Sequence, residues 1–444
     1  MHLVLLSGGS GKRLWPLSNG VSSKQFLKVL DGPNGKKESM AQRVFSQIKK
    51  SGKFESMTVI AGESQRDLLQ LQLGDDAHVI LEPERRDTFP AIMLASAYIS
   101  DITNHDKDAK IVIMPVDPFV DDDYFDVIAS TSEVLDKTDA ELVLLGAKPD
   151  SPSDKFGYIV PESANVDASG SSKVASFKEK PDEATAKELI SKGALWNCGV
   201  FALKLDVIRK KAINNYGIET FTFDEVYEKF STLTKTSFDY EVVEKTNNIR
   251  VVPYAGLFKD LGTWESLSSE MSDATSGNVY IENSANTHVI NDTQTPVVVL
   301  GIEDAIVVSS YDGILVAKKD ETSGLKDALA QVHERAMQET RRWGYYRVID
   351  FDMDSEIKTL TKRLHINAGK GISYQYHEHR KEIWAITAGE GILRQGDFTR
   401  NVKTGDVILI GEREWHAISA ITPIDIIEVQ TGTIISEDDI FRSE

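Results

Sequence analysis

A glycine-rich loop with basic residues follows the first apolar run of the chain. The stretch "LLSGGSGKRLWPLS", residues 5–18, places three glycines before Lys12 and Arg13, and Lys24 comes shortly after it. Glycine lets backbone N–H groups approach phosphate oxygens closely, and the cations would neutralise phosphate charge. A plain strand-to-helix turn with solvated basic residues is the alternative. The loop therefore predicts a phosphate-binding site at the end of the first strand.

Two familiar phosphate-loop patterns do not fit these residues. A Walker A loop would need glycine at Leu6 and a hydroxyl residue at Arg13. A Rossmann fingerprint starting at Gly9 would need a small residue at Leu14. A P-loop enzyme and a dinucleotide-binding enzyme are both excluded by this spacing.

A second group of residues near the C-terminus could bind a metal. In "YQYHEH", Gln375, His377 and His379 alternate, so a strand would place them on one face. Glu382 and His416 follow in "HRKEIW" and "REWHAI". Imidazole and carboxylate ligands of this kind suit Zn²⁺. The alternative is a domain that only packs or dimerises.

Length and composition limit the class of protein. A chain of 444 residues is long enough for two or three domains. Its net charge of -19 argues against nucleic acid or an anionic membrane as partner. The single cysteine, Cys198, cannot form an internal disulfide, and we find no export signal or membrane span, so we expect a cytoplasmic protein.

The predicted secondary structure that must position these residues changes along the chain, from alternating strands and helices to strands alone. Up to about residue 150, apolar strand-like runs alternate with helical patterns, which predicts a doubly wound, mostly parallel α/β sheet. Residues 276–325 are rich in short strands, "LKDALAQVHERAMQETRRWG" predicts a connecting helix at 326–342, and residues 343–444 are all-β in pattern.

Several motifs resemble those of the sugar-1-phosphate nucleotidyltransferases, specifically the mannose-1-phosphate guanylyltransferase branch, and they occur in the same order as in that family. They are "GGSGKRLWPLS" with "KQFL", "ILEPERRDTFPAI", "VIMPVDP", "FGYI", "FKEKPD", "LWNCGVF", "FDYEVVEK" and "FKDLGTW". The tail "IEVQTGTIISEDDIFR" is similar to that of type II mannose-6-phosphate isomerases. The resemblance implies a Rossmann-like transferase domain at 1–275, a short left-handed β-helix at 276–325, the connecting helix, and a cupin barrel at 343–444.

The resemblance also implies a reaction and its participants. A nucleoside triphosphate (GTP in this branch) and a sugar 1-phosphate (mannose 1-phosphate) would give GDP-mannose and pyrophosphate, a step in polysaccharide biosynthesis. Such a transfer needs positioning and neutralisation of charge more than covalent help. Mg²⁺ is the expected cofactor, a homodimer is compatible with the likeness, and mannose-6-phosphate isomerase activity is the second activity implied for the cupin.

The family's functional residues carry over to matching positions of this chain. The catalytic residues would be Arg13, Lys24, Asp117 and Asp260, the last two also holding Mg²⁺. The nucleotide would contact Leu6, Gly8, Gly9, Ser10, Gly11, Lys12, Glu82, Arg86, Asp87 and Thr88. The sugar phosphate would contact Gly157, Tyr158, Glu179, Lys180 and Asn197. The cupin metal would be held by Gln375, His377, Glu382 and His416.

Departures from the family pattern keep other substrates open. Ser23 replaces a proline, Asp87 replaces an asparagine and Pro118 replaces a histidine. An aspartate only accepts hydrogen bonds, and it could accept them from guanine or from cytosine. Ile383 and Gly411 lie where the isomerases have histidine and proline. The alternatives are a cytidylyl- or uridylyltransferase using another sugar phosphate, and a catalytically silent protein that binds a nucleotide sugar.

Overall fold

The computed structural model describes residues 1–9, 12–332 and 336–443. The chain forms two compact units, one of Met1–Ser10 and Ser23–Ser272 and the other of Gly11–Ser22 and Asp273–Glu444. No helix among the described residues is long and apolar enough to cross a membrane.

The first unit is an α/β domain built on one large sheet. Its strands are β1 His2–Ser7, β2 Leu30–Asp31, β3 Lys37–Glu38, β4 Ser56–Gly62, β5 His78–Glu82, β6 Lys110–Pro115, β7 Pro118–Val120, β8 Leu142–Ala147, β9 Tyr158–Pro161, β10 Ser172–Lys178, β11 Leu195–Lys204, β12 Ile249–Tyr254 and β13 Phe258–Asp260. Its helices are α1 Met40–Ser51, α2 Arg66–Leu73, α3 Thr88–Ile102, α4 Asp123–Lys137, α5 Glu183–Ser191, α6 Leu205–Tyr216, α7 Phe223–Glu228, α8 Phe238–Glu241 and α9 Trp264–Ser268.

Within the described residues, nine strands pair in the order β5-β4-β1-β6-β11-β8-β12-β10-β9. The predicted α/β architecture is confirmed, but the sheet is mixed rather than mostly parallel. Strands β5, β4, β1 and β6 are parallel, whereas β11 returns between β6 and β8 and runs antiparallel to both. Apolar residues cover both faces of the sheet, which explains why its strands are apolar on both sides.

Local sequence signals start and stop these helices. Ser39 and Gln42 form a capping box at the start of α1, and Gly52 ends the helix in the left-handed conformation. Asp182 caps α5 by accepting a hydrogen bond from the Thr185 amide. Such caps satisfy backbone groups that a helix end leaves unpaired.

The second unit is rich in β-strands. Its strands are β14 Thr275–Ser276, β15 Val279–Glu282, β16 His288–Asn291, β17 Val297–Leu300, β18 Ala305–Ser310, β19 Gly313–Lys318, β20 Gln338–Arg341, β21 Gly344–Asp352, β22 Lys358–Ile366, β23 Gly371–Tyr376, β24 Arg380–Ala388, β25 Glu390–Gln395, β26 Phe398–Lys403, β27 Val407–Ile410, β28 His416–Ala420, β29 Ile424–Gly432 and β30 Phe441–Arg442, and its helix is α10 Leu325–Leu329.

These strands form two groups of sheets. Strands β14-β16-β18-β19 and β15-β17 come first, with parallel pairing except between β18 and β19. The antiparallel sheets β20-β21-β22-β29-β24-β27 and β26-β25-β28-β23-β30 follow and enclose an apolar core that includes Trp384, Ile418 and Ile426.

The structure differs from the sequence prediction at two places. The connecting helix at 326–342 ends early, because α10 stops at Leu329 and residues 338–341 form a strand that pairs with β21. This pairing outweighs the helical propensity of the segment. Residues 12–22 lie within the predicted first domain but pack with the second unit, where Trp15 packs on Gly313 and Ser310 Oγ donates to the Pro16 carbonyl.

Candidate functional site

Two carboxylates and a lysine meet at the carboxyl end of β6. Lys24 opens a short 3-10 turn, Asp117 follows β6, and the pairing of β7 with β13 places Asp260 opposite Pro118. The Lys24 Nζ lies 2.9 Å from Asp117 Oδ2 and 2.7 Å from Asp260 Oδ1. The structure thus brings together three of the four predicted catalytic residues.

The environment keeps this lysine cationic. Burial alone would lower the pKa of Lys24, but the charges of Asp117 and Asp260 outweigh it and raise the pKa above its usual value. The side chains of Lys24, Asp117 and Asp260 are 23%, 18% and 33% exposed. The site is therefore partly open, and a substrate or a cation from solution can reach the carboxylates.

A buried hydrogen-bond chain holds the turn that carries Lys24. Gln25 Nε2 donates to Ser7 Oγ (3.2 Å), Ser7 Oγ donates to Gln65 Oε1 (3.1 Å), and Gln65 Nε2 donates to Ser23 Oγ (3.0 Å). All four residues are buried. These hydrogen bonds connect the end of β1 and the turn after β4 with the turn that carries Lys24, and no sequence motif indicated them.

The glycine loop is only partly described. Leu6 lies in β1, and Gly8 and Gly9 follow it in exposed positions. Gly9 has a φ of +123°, a conformation that favours glycine. The predicted Ser10 and Gly11 lie outside the described residues. Lys12 and Arg13 form a short 3-10 turn in the second unit, and their roles stay predictions.

The segment predicted to bind the base surrounds a half-buried carboxyl group. Burial, with a smaller contribution from Asp87, raises the pKa of Glu82 to about 7. Arg86 donates to the Leu233 carbonyl at 2.7 Å. Asp87 accepts the Thr88 amide at the start of α3, and the Thr88 hydroxyl accepts the Phe238 amide. Arg86, Asp87 and Thr88 therefore already make structural hydrogen bonds.

The predicted sugar-phosphate residues converge, and one residue joins them that was not predicted. Asn197 Nδ2 donates to Asp239 Oδ1 at 2.8 Å, and Lys180 Nζ lies 2.8 Å from Glu179 Oε1. Burial, followed by the charge of Glu179, raises the pKa of Asp239 to about 7. A signal for Asp239 existed, because it belongs to the quoted motif "FDYEVVEK".

Close packing fixes the shape of this region. A Cβ on Gly157 would lie 2.5 Å from Glu179 Oε2, so only glycine fits there without a shift. The Tyr158 side chain is fully buried and its hydroxyl bonds to Ser153 and to the Trp196 indole. The prediction that Tyr158 contacts the sugar is therefore wrong for its side chain, which serves the core instead.

The C-terminal group of predicted ligands also comes together. Among the described His, Cys, Asp and Glu residues, His377, Glu382 and His416 alone form a group of three or more with ligand atoms within 4.8 Å of one another. His377 Nε2 lies 3.1 Å and His416 Nε2 3.6 Å from the Glu382 carboxylate. Gln375 pairs with His416 across β23 and β28 and is buried. All four predicted metal ligands thus lie in one buried region.

Hydrogen bonds prepare both imidazoles for coordination. The Nδ1 atoms of His377 and His416 lie 2.7 Å and 2.9 Å from the Asp439 and Glu414 carbonyls. Since a carbonyl only accepts, Nδ1 carries a proton in each ring, so Nε2 is the ring atom that is left to bind a metal. The buried His416 Nε2 has no hydrogen-bond partner among the described residues.

The surroundings of Glu382 keep it ionised. Burial alone would raise the pKa of Glu382, but His377, His416 and Arg380 outweigh it and hold the pKa well below its usual range. Arg380 Nε donates to Glu382 Oε1 at 3.1 Å, and the Trp384 indole donates to Glu382 Oε2 at 3.1 Å. His379 was expected on the same face, but β23 ends at Tyr376 and the His379 side chain is 46% exposed.

Two family profiles match this chain, one after the other. The family profile described as Nucleotidyl transferase matches residues 2–277, and the one described as Mannose-6-phosphate isomerase C-terminal matches residues 326–444. The chain is 30% identical to a mannose-1-phosphate guanylyltransferase of Escherichia coli K12, over 100% of this chain and 97% of that protein.

Two further proteins extend this likeness. The alginate biosynthesis protein AlgA of Pseudomonas aeruginosa is 29% identical over 99% of this chain and 96% of its own length. A crystal structure of an enzyme named mannose-1-phosphate geranyltransferase, from Thermus thermophilus, has a TM-score of 0.60 and 26% identity. It covers 74% of this chain and 98% of its own.

Proposed function

This chain belongs to the nucleotidyl transferase family, and we propose that it transfers a guanylyl group from GTP to mannose 1-phosphate, giving GDP-mannose and pyrophosphate. The observation that carries the proposal is the contact of Lys24 with both Asp117 and Asp260. In this reaction the sugar-phosphate oxygen attacks the α-phosphorus, and the bond to pyrophosphate breaks. Charge must be neutralised along that line, and Lys24 supplies a fixed cation there.

The same carboxylates fit a divalent cation. Asp117 and Asp260 both direct an oxygen at one ammonium group, so their negative charge is focused on one point. Mg²⁺ is held in proteins by one or two carboxylates together with substrate phosphates and water. When bound, Mg²⁺ would neutralise phosphate charge, and Lys24 would then be free to turn towards the α-phosphate.

The sugar region supplies matched hydrogen-bonding groups. Glu179 and Asp239 offer acceptors for sugar hydroxyls, and Lys180 offers a donor for the phosphate. The absence of a side chain at Gly157 leaves room for the Glu179 carboxylate in this region. Glu82 and Asp87 offer acceptors for the N–H groups of guanine, although one Asp87 oxygen already accepts the Thr88 amide.

For the second unit we propose a short left-handed β-helix followed by a cupin barrel. Val279 pairs with Val297 and Val289 with Val307, an offset of 18 residues in each case, as expected for successive coils. Val289, Val299 and Val307 form their apolar core. The paired antiparallel sheets that follow are typical of a cupin.

The buried His377–Glu382–His416 group favours a second activity in that barrel. With Gln375 it offers two imidazoles, a carboxylate and an amide oxygen, a set that suits Zn²⁺ or a similar divalent ion. The chemistry that such an ion supplies is polarisation of a sugar carbonyl, which isomerisation of mannose 6-phosphate requires. Arg380 and Lys362 are buried in the same barrel, where Arg380 pairs with Glu382 and Lys362 with Glu437.

The test of the transferase measures pyrophosphate. The purified full chain is incubated with Mg²⁺, mannose 1-phosphate and each nucleoside triphosphate in turn. Release with GTP alone supports the proposal. Release with CTP or UTP alone would refute guanine as the base. No release with any triphosphate and any of a panel of sugar 1-phosphates would refute transferase activity and favour a catalytically silent binding protein. Asp260→Asn should abolish release, whereas Asp126→Asn, which alters an exposed ion pair with Lys53, should not.

A further inference from the structure

The segment Lys12–Ser22 packs on the turn between β18 and β19 of the second unit. A Cβ on Gly313 would overlap the Trp15 indole, so the ring lies directly on the turn. Ser310 Oγ donates to the Pro16 carbonyl at 2.7 Å. This segment carries Lys12 and Arg13, the residues predicted to bind the triphosphate.

Asp312, at the tip of the same turn, fixes the other end of the segment. Asn19 Nδ2 donates to Asp312 Oδ2 at 2.7 Å. The Asn19 Oδ1 accepts the Val21 amide at 2.9 Å and the Ser22 amide at 2.7 Å. Asn19 therefore cannot exchange its amide nitrogen and oxygen without losing two backbone hydrogen bonds, and its donor must face Asp312.

The second oxygen of Asp312 holds the start of the C-terminal sheets. The Met337 amide donates to Asp312 Oδ1 at 2.6 Å, one residue before β20. Beside it, the Arg347 guanidinium lies 4.5 Å from the centre of the Tyr311 ring. One carboxylate therefore accepts donors from two segments that are far apart in sequence.

We propose that Asp312 is a positioning residue for nucleotide binding, through which the C-terminal unit holds the segment Lys12–Ser22 in its binding conformation. The proposal rests on the proposed function for the role of Arg13. The physical reason is that two donors converge on one side chain, and only a carboxylate offers an acceptor to each.

Asp312→Asn is the direct test. An amide keeps one acceptor and places an NH₂ group against the other donor, so the bond to Asn19 or to Met337 is lost. We expect KM for GTP to rise about tenfold while kcat stays within about twofold, because the loss of one charge-assisted hydrogen bond is of that order. We also expect faster hydrogen exchange at the amides of residues 12–22.

The matched control is Asp304→Asn. Asp304 also accepts an asparagine amide, from Asn286 at 2.7 Å, in the same group of short strands. This variant should leave KM and exchange unchanged. Equal behaviour of the two variants in both measurements would overturn the proposal.

A second variant and the wild-type chain separate the remaining outcomes. If Asp312→Asn does not fold, Asn19→Asp keeps an acceptor for the Val21 and Ser22 amides, removes the donor that faces Asp312, and should raise KM for GTP and the exchange of residues 12–22. If the wild-type chain releases no pyrophosphate, the proposed function fails. Hydrogen exchange then decides the positioning role alone: faster exchange in Asp312→Asn supports it, and unchanged exchange refutes it.

Discussion

Replacing Lys24 with methionine would remove the cation that lies between Asp117 and Asp260. At an effective dielectric constant near 20, two unit charges about 3 Å apart attract by about 5 kcal/mol. The attraction is partly offset because the side chains are 18–33% exposed and because Lys24 must lose solvent to make the pairs. We therefore expect Lys24→Met to lower the free energy of unfolding by about 2 kcal/mol.

Thermal unfolding followed by circular dichroism measures this loss. A change of about 2 kcal/mol should lower the Tm of the first unit by about 5 °C. The pKa of Lys24 is raised, so the stabilisation is fully present below the unfolded-state pKa near 10 and is lost only as the pH rises through the higher folded-state pKa. The decrease in Tm should therefore be equal at pH 7 and pH 9.

Two comparisons make the result specific. Lys53→Met removes an exposed pair with Asp126 at 3.0 Å and should cost less than about 1 kcal/mol. Millimolar Mg²⁺ should restore part of the stability of Lys24→Met and change the wild type little, since the carboxylates of the variant lack their ammonium. A variant as stable as the wild type, with no response to Mg²⁺, would refute the view that these carboxylates form one focus of negative charge.

Three further outcomes follow from the contacts described above. Gln65→Ala should lower kcat about tenfold, because it breaks the hydrogen-bond chain that holds the Lys24 turn. Adding Ser23→Pro should restore kcat, because Ser23 already has a proline-compatible φ of -72° and the proline ring would fix the turn in place of the lost hydrogen bond; no recovery would contradict the positioning of Lys24 by these hydrogen bonds. The pKa of Asp239 is raised to about 7, so its contribution to stability is fully present below pH 4 and is lost as the pH rises through 7. In urea unfolding, the free energy of unfolding of Asp239→Asn should therefore rise by about 1–3 kcal/mol relative to that of the wild type between pH 5 and pH 8, and an equal difference at both pH values would argue against this. We expect a divalent metal to copurify with the wild type, and elemental analysis should show that His416→Ala loses it. The control His365→Ala, which removes a histidine paired with Asp425, should keep the metal, and equal metal contents in the two variants would count against the proposed ligands.

Local pattern was sufficient for many elements of the first unit. The run "HLVLL" forms β1, and the stripe of Val44, Phe45 and Ile48 faces the core from α1. These predictions succeed because alternating and helical spacing decide which side chains a single element can bury. The lysine and aspartates of the candidate site were also recognisable, because each lies in a short motif that resembles one of the family.

Other features required contacts between distant parts of the chain. The strand Gln338–Arg341 has a helical sequence, but pairing with β21 decides its conformation. Asp239 lies in a motif that the sequence already showed, but only packing places it beside Asn197 and Glu179. Local spacing carries no information about such partners, since they are set by which surfaces the whole chain can bury together.

The glycine-rich segment near the N-terminus shows most clearly what the residue types indicate and what only the tertiary contacts decide. Its composition alone indicated phosphate chemistry, because glycines and cations suit phosphate oxygens wherever they occur. The part that follows the glycines, Lys12–Ser22, packs with the second unit through Asp312, Ser310 and Gly313, about 290 residues away in sequence. Residue types were therefore enough to show which groups could bind phosphate. What holds those groups depends on long-range contacts, because a hydrogen bond across so long a loop forms only after the distant segments have folded together.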